Sequence, residues 1–534
     1  MTLRSRVILI IFGIVAALMV LLLSGPTIRW QNDSITSSIA TAKNIEDSND
    51  YFFNCRYGVT LTKGEEVPSV SKIGAGLYLS FQPYPPAEGP ANGAKFAHVI
   101  QIKQERGPNN SYLPSWYSNP ALDSAFASYV NDNRGEKYLL GNEIERQGQG
   151  DIFPDMYALA YHDVYHFIKN IDPTAQIAIS GLVEVTPMRT QYLDMVWDTY
   201  LETFGTHMPV DIWNMHLYPI PEVIEVDGEL KQSRGGAALG TDRNLGKRES
   251  DGTSNDCNDP RDNIYCYAEH DNMDMFTAQI TLMRQWMKDH GQQNKPLIIS
   301  EYSILWPYIV DEDGCYLMDE FGKCFDPDRI SKFLLNGFDR LNNTKSTTLG
   351  YPADDYRLVQ QWVWYSIYQE PGQAGSSSNL FEKDLVTLTK MGRAYRDYVA
   401  SENSYRNLVV DRVSGVPVPA QPDNDATTQI SVVFRNNGNI SVQKPFDVTF
   451  YSNSSLTSKI GTVRIDPEVA GCATASYEAT VEWSGLNKGA HKFWVVVDSG
   501  AEIQEVPTNN VDNTGVGKVI VYSDRAYLTI VRAN

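Results

Sequence analysis

Between residues 51 and 400 short apolar runs alternate with helical patterns, and there are eight such runs, at 57–61, 76–81, 97–102, 138–141, 177–181, 212–217, 297–300 and 361–365. Over 156–171, Tyr157, Tyr161, Val164, Tyr165 and Ile168 recur at helical spacing, and 191–203 and 275–290 read the same way. Strands alternating with helices eight times over predict an α/β fold whose parallel sheet closes on itself, a (β/α)8 TIM barrel. The first connections are short, and residues 61–72 hardly hold a full helix.

Two of these strands end on an acid. Glu143 closes Tyr138-Leu139-Leu140-Gly141-Asn142-Glu143, and Glu301 closes Pro296-Leu297-Ile298-Ile299-Ser300-Glu301. Buried parallel strands normally read as nearly continuous apolar runs. A carboxylate directly after one makes sense where the strand's carboxyl end opens into a cleft, which is where such folds keep their chemistry. Two carboxylates facing each other are what glycosidic bond cleavage needs, one as proton donor and the other as nucleophile or base. They stand 158 residues apart in sequence, so only a fold that returns strands to one face unites them. The plainer reading of each is a cap on a following helix. By position Glu143 suits the general acid and Glu301 the nucleophile. Asn142 is placed to hydrogen-bond a sugar hydroxyl, and Glu145 reads as a surface or ion-paired residue that Arg146 neutralises.

The sixth run ends in His216 and Tyr218, which strand alternation puts on the same side as Asn214. Between two acid-bearing strands, an imidazole or hydroxyl can hold a carboxylate ionised and oriented; a packed core histidine is the other reading. Trp362 and Trp364 on the last strand, and Trp306 after the seventh, are candidates for the apolar floor and rim on which a sugar's C–H face rests. Core packing is the alternative for the pair on the strand. His162 and His166 are spaced by four on a helix but lack the glutamate of H-E-x-x-H, and the acidic stretch 311–314 reads as a solvated loop. No metal and no cofactor is expected.

After residue 400 the texture changes to β-rich segments at 407–413, 429–435, 446–451, 475–483 and 492–498, separated by Gly, Pro and Asn turns. This is the spacing of an all-β sandwich over 403–534. At the other end, Arg4 and Arg6 precede an uncharged apolar run of 17 residues, 7–23. That run is at the short limit for a transmembrane helix, and the charges before it put the remainder outside the cytoplasm. Residues 1–25 therefore read as an uncleaved signal anchor, with a cleaved signal peptide as the alternative, and 26–50 as a polar tether. The expected location is the cell membrane, crossed once, with the folded body on the extracytoplasmic side. Cys257 with Cys266, and Cys315 with Cys324, are local pairs in two long insertions, 220–272 and 306–328; in an exported chain they read as disulfides, with zinc as the rival. Cys55 and Cys472 are left over. A net charge of −20 argues against nucleic acid as a partner.

These motifs, in this order, resemble the clan A glycoside hydrolases, over about residues 51–400. The resemblance implies a retaining enzyme on a (β/α)8 barrel whose acid/base glutamate follows an asparagine at the end of strand four, matching Asn142-Glu143, and whose nucleophile ends strand seven, matching Glu301. The clan's strand-six His or Tyr matches His216 and Tyr218, and its strand-eight Trp matches Trp362 or Trp364. The tail resembles a CARDB-type adhesion module, an immunoglobulin-like sandwich, on Asn407-Leu408-Val409-Val410, Val433-Phe434-Arg435-Asn436-Asn437-Gly438 and Val495-Val496-Val497-Asp498. The combined expectation is an exported retaining glycosidase acting on an oligo- or polysaccharide. A non-catalytic carbohydrate-binding or adhesion protein on a barrel scaffold is the alternative, and transglycosylation would share the same site.

Overall fold

The computed structural model describes residues 53–523 apart from 63–65, 221–222, 227–228, 233–238, 242–269, 306–323, 424, 467 and 507–510. The expected anchor and tether, Trp306, Cys257, Cys266, Cys315 and most of both long insertions lie outside the described residues. No helix among the described residues is long and apolar enough to cross a membrane.

Eight parallel strands form the first layer: β1 (Asn54–Leu61), β2 (Ala75–Ser80), β3 (Lys95–Arg106), β5 (Lys137–Leu140), β6 (Gln176–Ile179), β7 (Trp213–Leu217), β10 (Leu297–Tyr302) and β11 (Gln361–Trp364). They pair in the order β6-β5-β3-β2-β1-β11-β10-β7. A parallel bridge between Ala178 and Ile212 joins the two ends and closes the barrel. An antiparallel strand β4 (Tyr112–Asn119) pairs with the distal half of β3, and a hairpin of β8 (Val223–Val226) and β9 (Glu229–Gln232) follows β7. All eight apolar runs of the sequence are barrel strands.

Helices α1 (Val67–Lys72), α2 (Ser124–Asp132), α3 (Pro154–Ile171), α4 (Pro187–Phe204), α5 (Met273–Asp289), α6 (Pro327–Asn343) and α7 (Lys390–Ser401) pack outside. The segment between β2 and β3 holds no helix, in keeping with its shortness. Inside the barrel a small cluster takes Leu77, Leu79, Ala97, Val99, Leu139, Ala178, Ile212, Ile298 and Val363 from successive strands. These residues set the inward parity of each strand, and alternation sends their neighbours outward to the helices.

That parity corrects one expectation. Val363 points inward, so Trp362 and Trp364 point outward. Trp362 packs against Tyr57. Trp364 packs against Tyr302 and Phe333 and donates from Nε1 to the Ser378 carbonyl at 2.8 Å. Both are fully buried core residues, not a floor for sugar.

The C-terminal part is a two-sheet sandwich. One sheet has the order β12-β14-β17, from β12 (Leu408–Gly415), β14 (Ala426–Asn436) and β17 (Tyr477–Leu486). The other has the order β13-β19-β18-β15-β16, from β13 (Val418–Pro419), β15 (Phe446–Tyr451), β16 (Lys459–Ile465), β18 (Gly489–Val497) and β19 (Thr514–Tyr522). Ile430, Val432, Phe434, Val448, Phe450, Phe493 and Val495 fill the space between the sheets.

The sandwich is fastened beneath the barrel, at the amino ends of its strands. Cys55 of β1 is disulfide-bonded to Cys472, 417 residues away, with Cα atoms 6.1 Å apart. Arg56 pairs with Asp354 at 2.8 Å, both side chains 2% exposed, and donates to the Asn437 carbonyl at 2.9 Å. Lys137, at the start of β5, reaches Gln361 and lies 3.5 Å from Thr474 Oγ1. Removing one member of a buried ion pair such as Arg56–Asp354 costs about 3–5 kcal/mol, because the other charge is left buried and unpaired. Among the described residues, these contacts of the module lie at the amino ends of the strands. Cys324 is also disulfide-bonded.

Candidate active site

Glu143 reaches the cleft through an unusual stretch of backbone. Gly141 has φ +107°, and Glu143 itself has φ +44°, a left-handed conformation that side chains rarely adopt and that recurs at functional sites. The Glu143 N–H donates to the Gly181 carbonyl at 3.0 Å, while the Glu143 carbonyl accepts from Arg146 and Gly150. The turn thus leaves the Glu143 side chain pointing into the barrel mouth, 2% exposed.

Glu301 arrives by a different device. Ile298 faces inward, so simple alternation would send Glu301 outward. The pairing of β10 with β7 slips between Ile299 and Glu301, which brings Glu301 opposite His216. One extra residue re-aims the side chain, the usual effect of a β-bulge. Tyr302 then turns outward against Trp364. His216 sits over Gly181, where an added Cβ would lie 2.3 Å from the ring. Glycine is therefore required there for the imidazole to occupy its place.

The three side chains meet. His216 Nδ1 lies 3.2 Å from Glu143 Oε1 and 3.8 Å from Glu301 Oε2. One donor atom from each of Glu143, His216 and Glu301 falls within a 4.8 Å sphere of mutual separation. Tyr218 donates its hydroxyl to Glu301 Oε1 at 2.7 Å, and Arg146 Nη1 donates to Glu143 Oε2 at 2.7 Å. Arg146 was expected to neutralise Glu145. Glu145 is instead fully buried and pairs with Arg189 at 2.6 Å while accepting from the Val183 N–H, because the turn at Glu143 sends successive side chains in opposite directions.

Electrostatics separates the two acids. Burial pushes the Glu143 carboxyl up, but the hydrogen bond from His216 and the charge of Arg146 outweigh it and hold the group at about 2. Burial also pushes Glu301 up; His216 and the Tyr218 hydroxyl pull it down, the negative charge of Glu143 opposes them, and the net result is raised. Burial alone would lower His216, yet the charges of Glu301 and Glu143 raise it, so the imidazolium is favoured between them. A divalent cation would fit the separations, but it would have to enter beside the guanidinium of Arg146 and this imidazolium. The donor set reads as proton-transfer machinery.

A cavity of about 350 Å³ opens over these groups, lined by Phe81, Asn142, Glu143, Arg146, Gln149, Glu301, Leu305, Tyr365 and Ala374. The structure thus brings together Asn142, Glu143, His216, Tyr218 and Glu301, and leaves Trp362 and Trp364 out. Phe81, Arg146, Gln149 and Tyr365 were not singled out in the sequence. Phe81 and Tyr365 continue the inward parity of Leu79 and Val363 by two residues, so alternation carried the signal. Arg146 and Gln149 come from a loop and carried none.

Residues 406–514 match the family model described as CARDB, as the sequence resemblance implied. No curated protein matches the chain. Among solved structures, a GH128 subgroup II endo-β-1,3-glucanase from Sorangium cellulosum is similar at 15% identity and TM-score 0.36, over 64% of this chain and 98% of that one. A GH128 subgroup I endo-β-1,3-glucanase from Amycolatopsis mediterranei, in complex with laminaritriose, is similar at 12% identity and TM-score 0.36, over 64% and 98%. The CARDB domain of a Pyrococcus furiosus protein, in complex with di-metal ions, is similar at 18% identity and TM-score 0.19, over 23% and 100%. At these TM-scores neither substrate nor mechanism transfers.

Proposed function

We propose that this chain is a retaining glycoside hydrolase that cleaves O-glycosidic bonds in an oligo- or polysaccharide by double displacement. The observation that carries the reading is the pair Glu143 and Glu301, both beside His216 Nδ1 in one cleft, with one carboxyl oxygen of each within 4.8 Å of the other. Retaining enzymes hold their two carboxyl groups about 5–5.5 Å apart, whereas inverting enzymes leave about 6.5–9.5 Å for a water. The short separation favours a carboxylate that attacks the sugar directly.

In this reading Glu301 attacks the anomeric carbon, and Glu143 protonates the departing oxygen. Water then enters, Glu143 takes its proton, and the glycosyl–Glu301 ester is hydrolysed. The surroundings of the two acids favour the other arrangement, lowering Glu143 and raising Glu301. Catalysis therefore requires a proton to reach Glu143 after substrate binds. The route is short: as the leaving-group oxygen takes the place of Arg146 beside Glu143, the imidazolium of His216 passes its Nδ1 proton to Glu143 across 3.2 Å. Tyr218 meanwhile stabilises ionised Glu301 by its hydroxyl.

The same reading places the chain outside the cytoplasm, anchored through residues 1–25. The disulfide between Cys55 and Cys472 supports an oxidising compartment. The test of the whole reading is turnover on a panel of aryl glycosides and polysaccharides, with Glu143→Gln and Glu301→Ala beside wild type. Glu143→Gln is expected to lower kcat by about 10²–10⁴-fold on poor leaving groups, and Glu301→Ala to abolish turnover. Wild type inactive on every substrate, or variants as active as wild type, would favour a carbohydrate-binding protein on a barrel scaffold.

A further inference from the structure

The sandwich carries a second surface that the cleft does not explain. On its five-stranded sheet, Val448, Phe450, Val495 and Val497 face the core, so the residues between them lie on the outer face. There Tyr451, Trp494 and Val496 are partly exposed, and Thr449 is buried beside Thr462 and Ser499. Cross-strand register sets Lys459, Tyr451, Trp494 and Val516 in one row across β16, β15, β18 and β19. In the next row Lys492 stands directly opposite Lys518. The row on the other side is Thr462, Thr449, Val496 and Thr514.

Two properties of this face point to a ligand. First, Val516 is 58% exposed, and Tyr451 and Trp494 beside it in the row are each partly exposed, so the row offers an accessible apolar strip. Tyr451 and Trp494 occupy directly opposite positions on neighbouring strands, which lie about 4.8 Å apart. Second, all three charges are positive. Like charges directly opposite on a sheet face are destabilising, and Lys459, Lys492 and Lys518 form no ion pair among the described residues. The chain has 65 acidic residues against 45 basic ones, yet none of the acids stands in these three rows. The patch is complementary to an anion in a protein that is otherwise acidic.

We propose that this face binds an acidic polysaccharide, with sugar rings resting on Tyr451 and Trp494 and ring carboxylates paired with Lys492, Lys518 and Lys459. Aromatic side chains present flat apolar area with little conformational freedom to lose, suited to the C–H face of a sugar. Ammonium groups around them select an anionic chain over a neutral one and make the contact sensitive to salt. Small ligands are usually held in concave pockets, so an apolar row running across four strands of a sheet suits an extended polymer better. The inference does not depend on the catalytic reading, because it concerns binding without turnover.

The experiment is affinity electrophoresis and titration calorimetry of the full chain with polygalacturonate, beside dextran, poly-glutamate and single-stranded DNA. Wild type is expected to bind polygalacturonate, more weakly at higher salt, and to bind the three other polymers at least tenfold less tightly, a difference of about 1.4 kcal/mol or more. Trp494→Ala is expected to weaken binding about tenfold with an unchanged Tm. Lys492→Gln with Lys518→Gln is expected to remove most of the salt dependence. Equal binding of dextran, poly-glutamate or DNA, no binding of polygalacturonate, or both variants behaving as wild type would overturn the proposal. A glycosidase that lacks this binding would leave the cleft reading intact, and binding without turnover would do the reverse.

Discussion

Arg146 Nη1 holds Glu143 Oε2 at 2.7 Å inside the cleft, three residues along the same turn. A general acid must carry a proton when the glycosidic bond breaks, and a guanidinium at this distance opposes that. Under the proposed mechanism Arg146 stabilises the ionised acid until the sugar displaces it.

Arg146→Gln removes that charge. A carboxyl beside an arginine is depressed by about 1–3 units, so Glu143 should rise from its depressed value by a similar amount. A higher Glu143 value lets the acid keep its own proton to higher pH, so the limb of kcat/KM on which Glu143 titrates should move up. The measurement is the pH profile of kcat/KM for both proteins. An unmoved limb would make Arg146 a structural neighbour only.

Tyr218→Phe leaves the ring in place and deletes the 2.7 Å hydrogen bond to Glu301. A hydrogen bond to a charged group is worth about 1.5–3 kcal/mol, which corresponds to about 10–100-fold in rate. The loss should appear in kcat, because ionised Glu301 is needed in the chemical step. Steady-state kinetics separates this from a loss confined to KM.

The joint beneath the barrel has its own pH signature. Burial pushes the Lys137 ammonium down to about 7, with Glu136 opposing only weakly. Between about pH 7 and the unfolded value near 10.4, the unfolded chain binds a proton that the folded chain does not. Stability contributed at this site should therefore rise with pH across that window and be lowest below it. Lys137→Met removes the term, so the Tm of the variant relative to wild type should fall as pH rises from 7 to 10. Parallel Tm curves would mean that Lys137 keeps its charge in the fold.

The barrel strands and both acids were legible because apolar runs and strand-end carboxylates are local signals. His216 and Tyr218 followed from alternation along β7. Alternation read without an inward reference misplaced Trp364, whose neighbour Val363 takes the interior position. The bulge that turns Glu301 inward sits in Ser300-Glu301, which carries no glycine or proline to announce it. The Cys55–Cys472 bond joins positions that only the docked sandwich brings together, so no local spacing could reveal it. Arg146 was assigned to the wrong acid because the left-handed Glu143 reverses the direction of the side chains that follow.

In the proposed mechanism Glu301 forms a covalent bond to the sugar and Glu143 supplies the proton. The most direct test is incubation of the full chain with activated 2-deoxy-2-fluoro glycosides, followed by mass spectrometry of the intact protein and its peptides. One added glycosyl group is expected, carried by Glu301, and no added group in Glu301→Ala. An adduct on Glu143, or steady turnover of a matching substrate with no adduct at all, would contradict it.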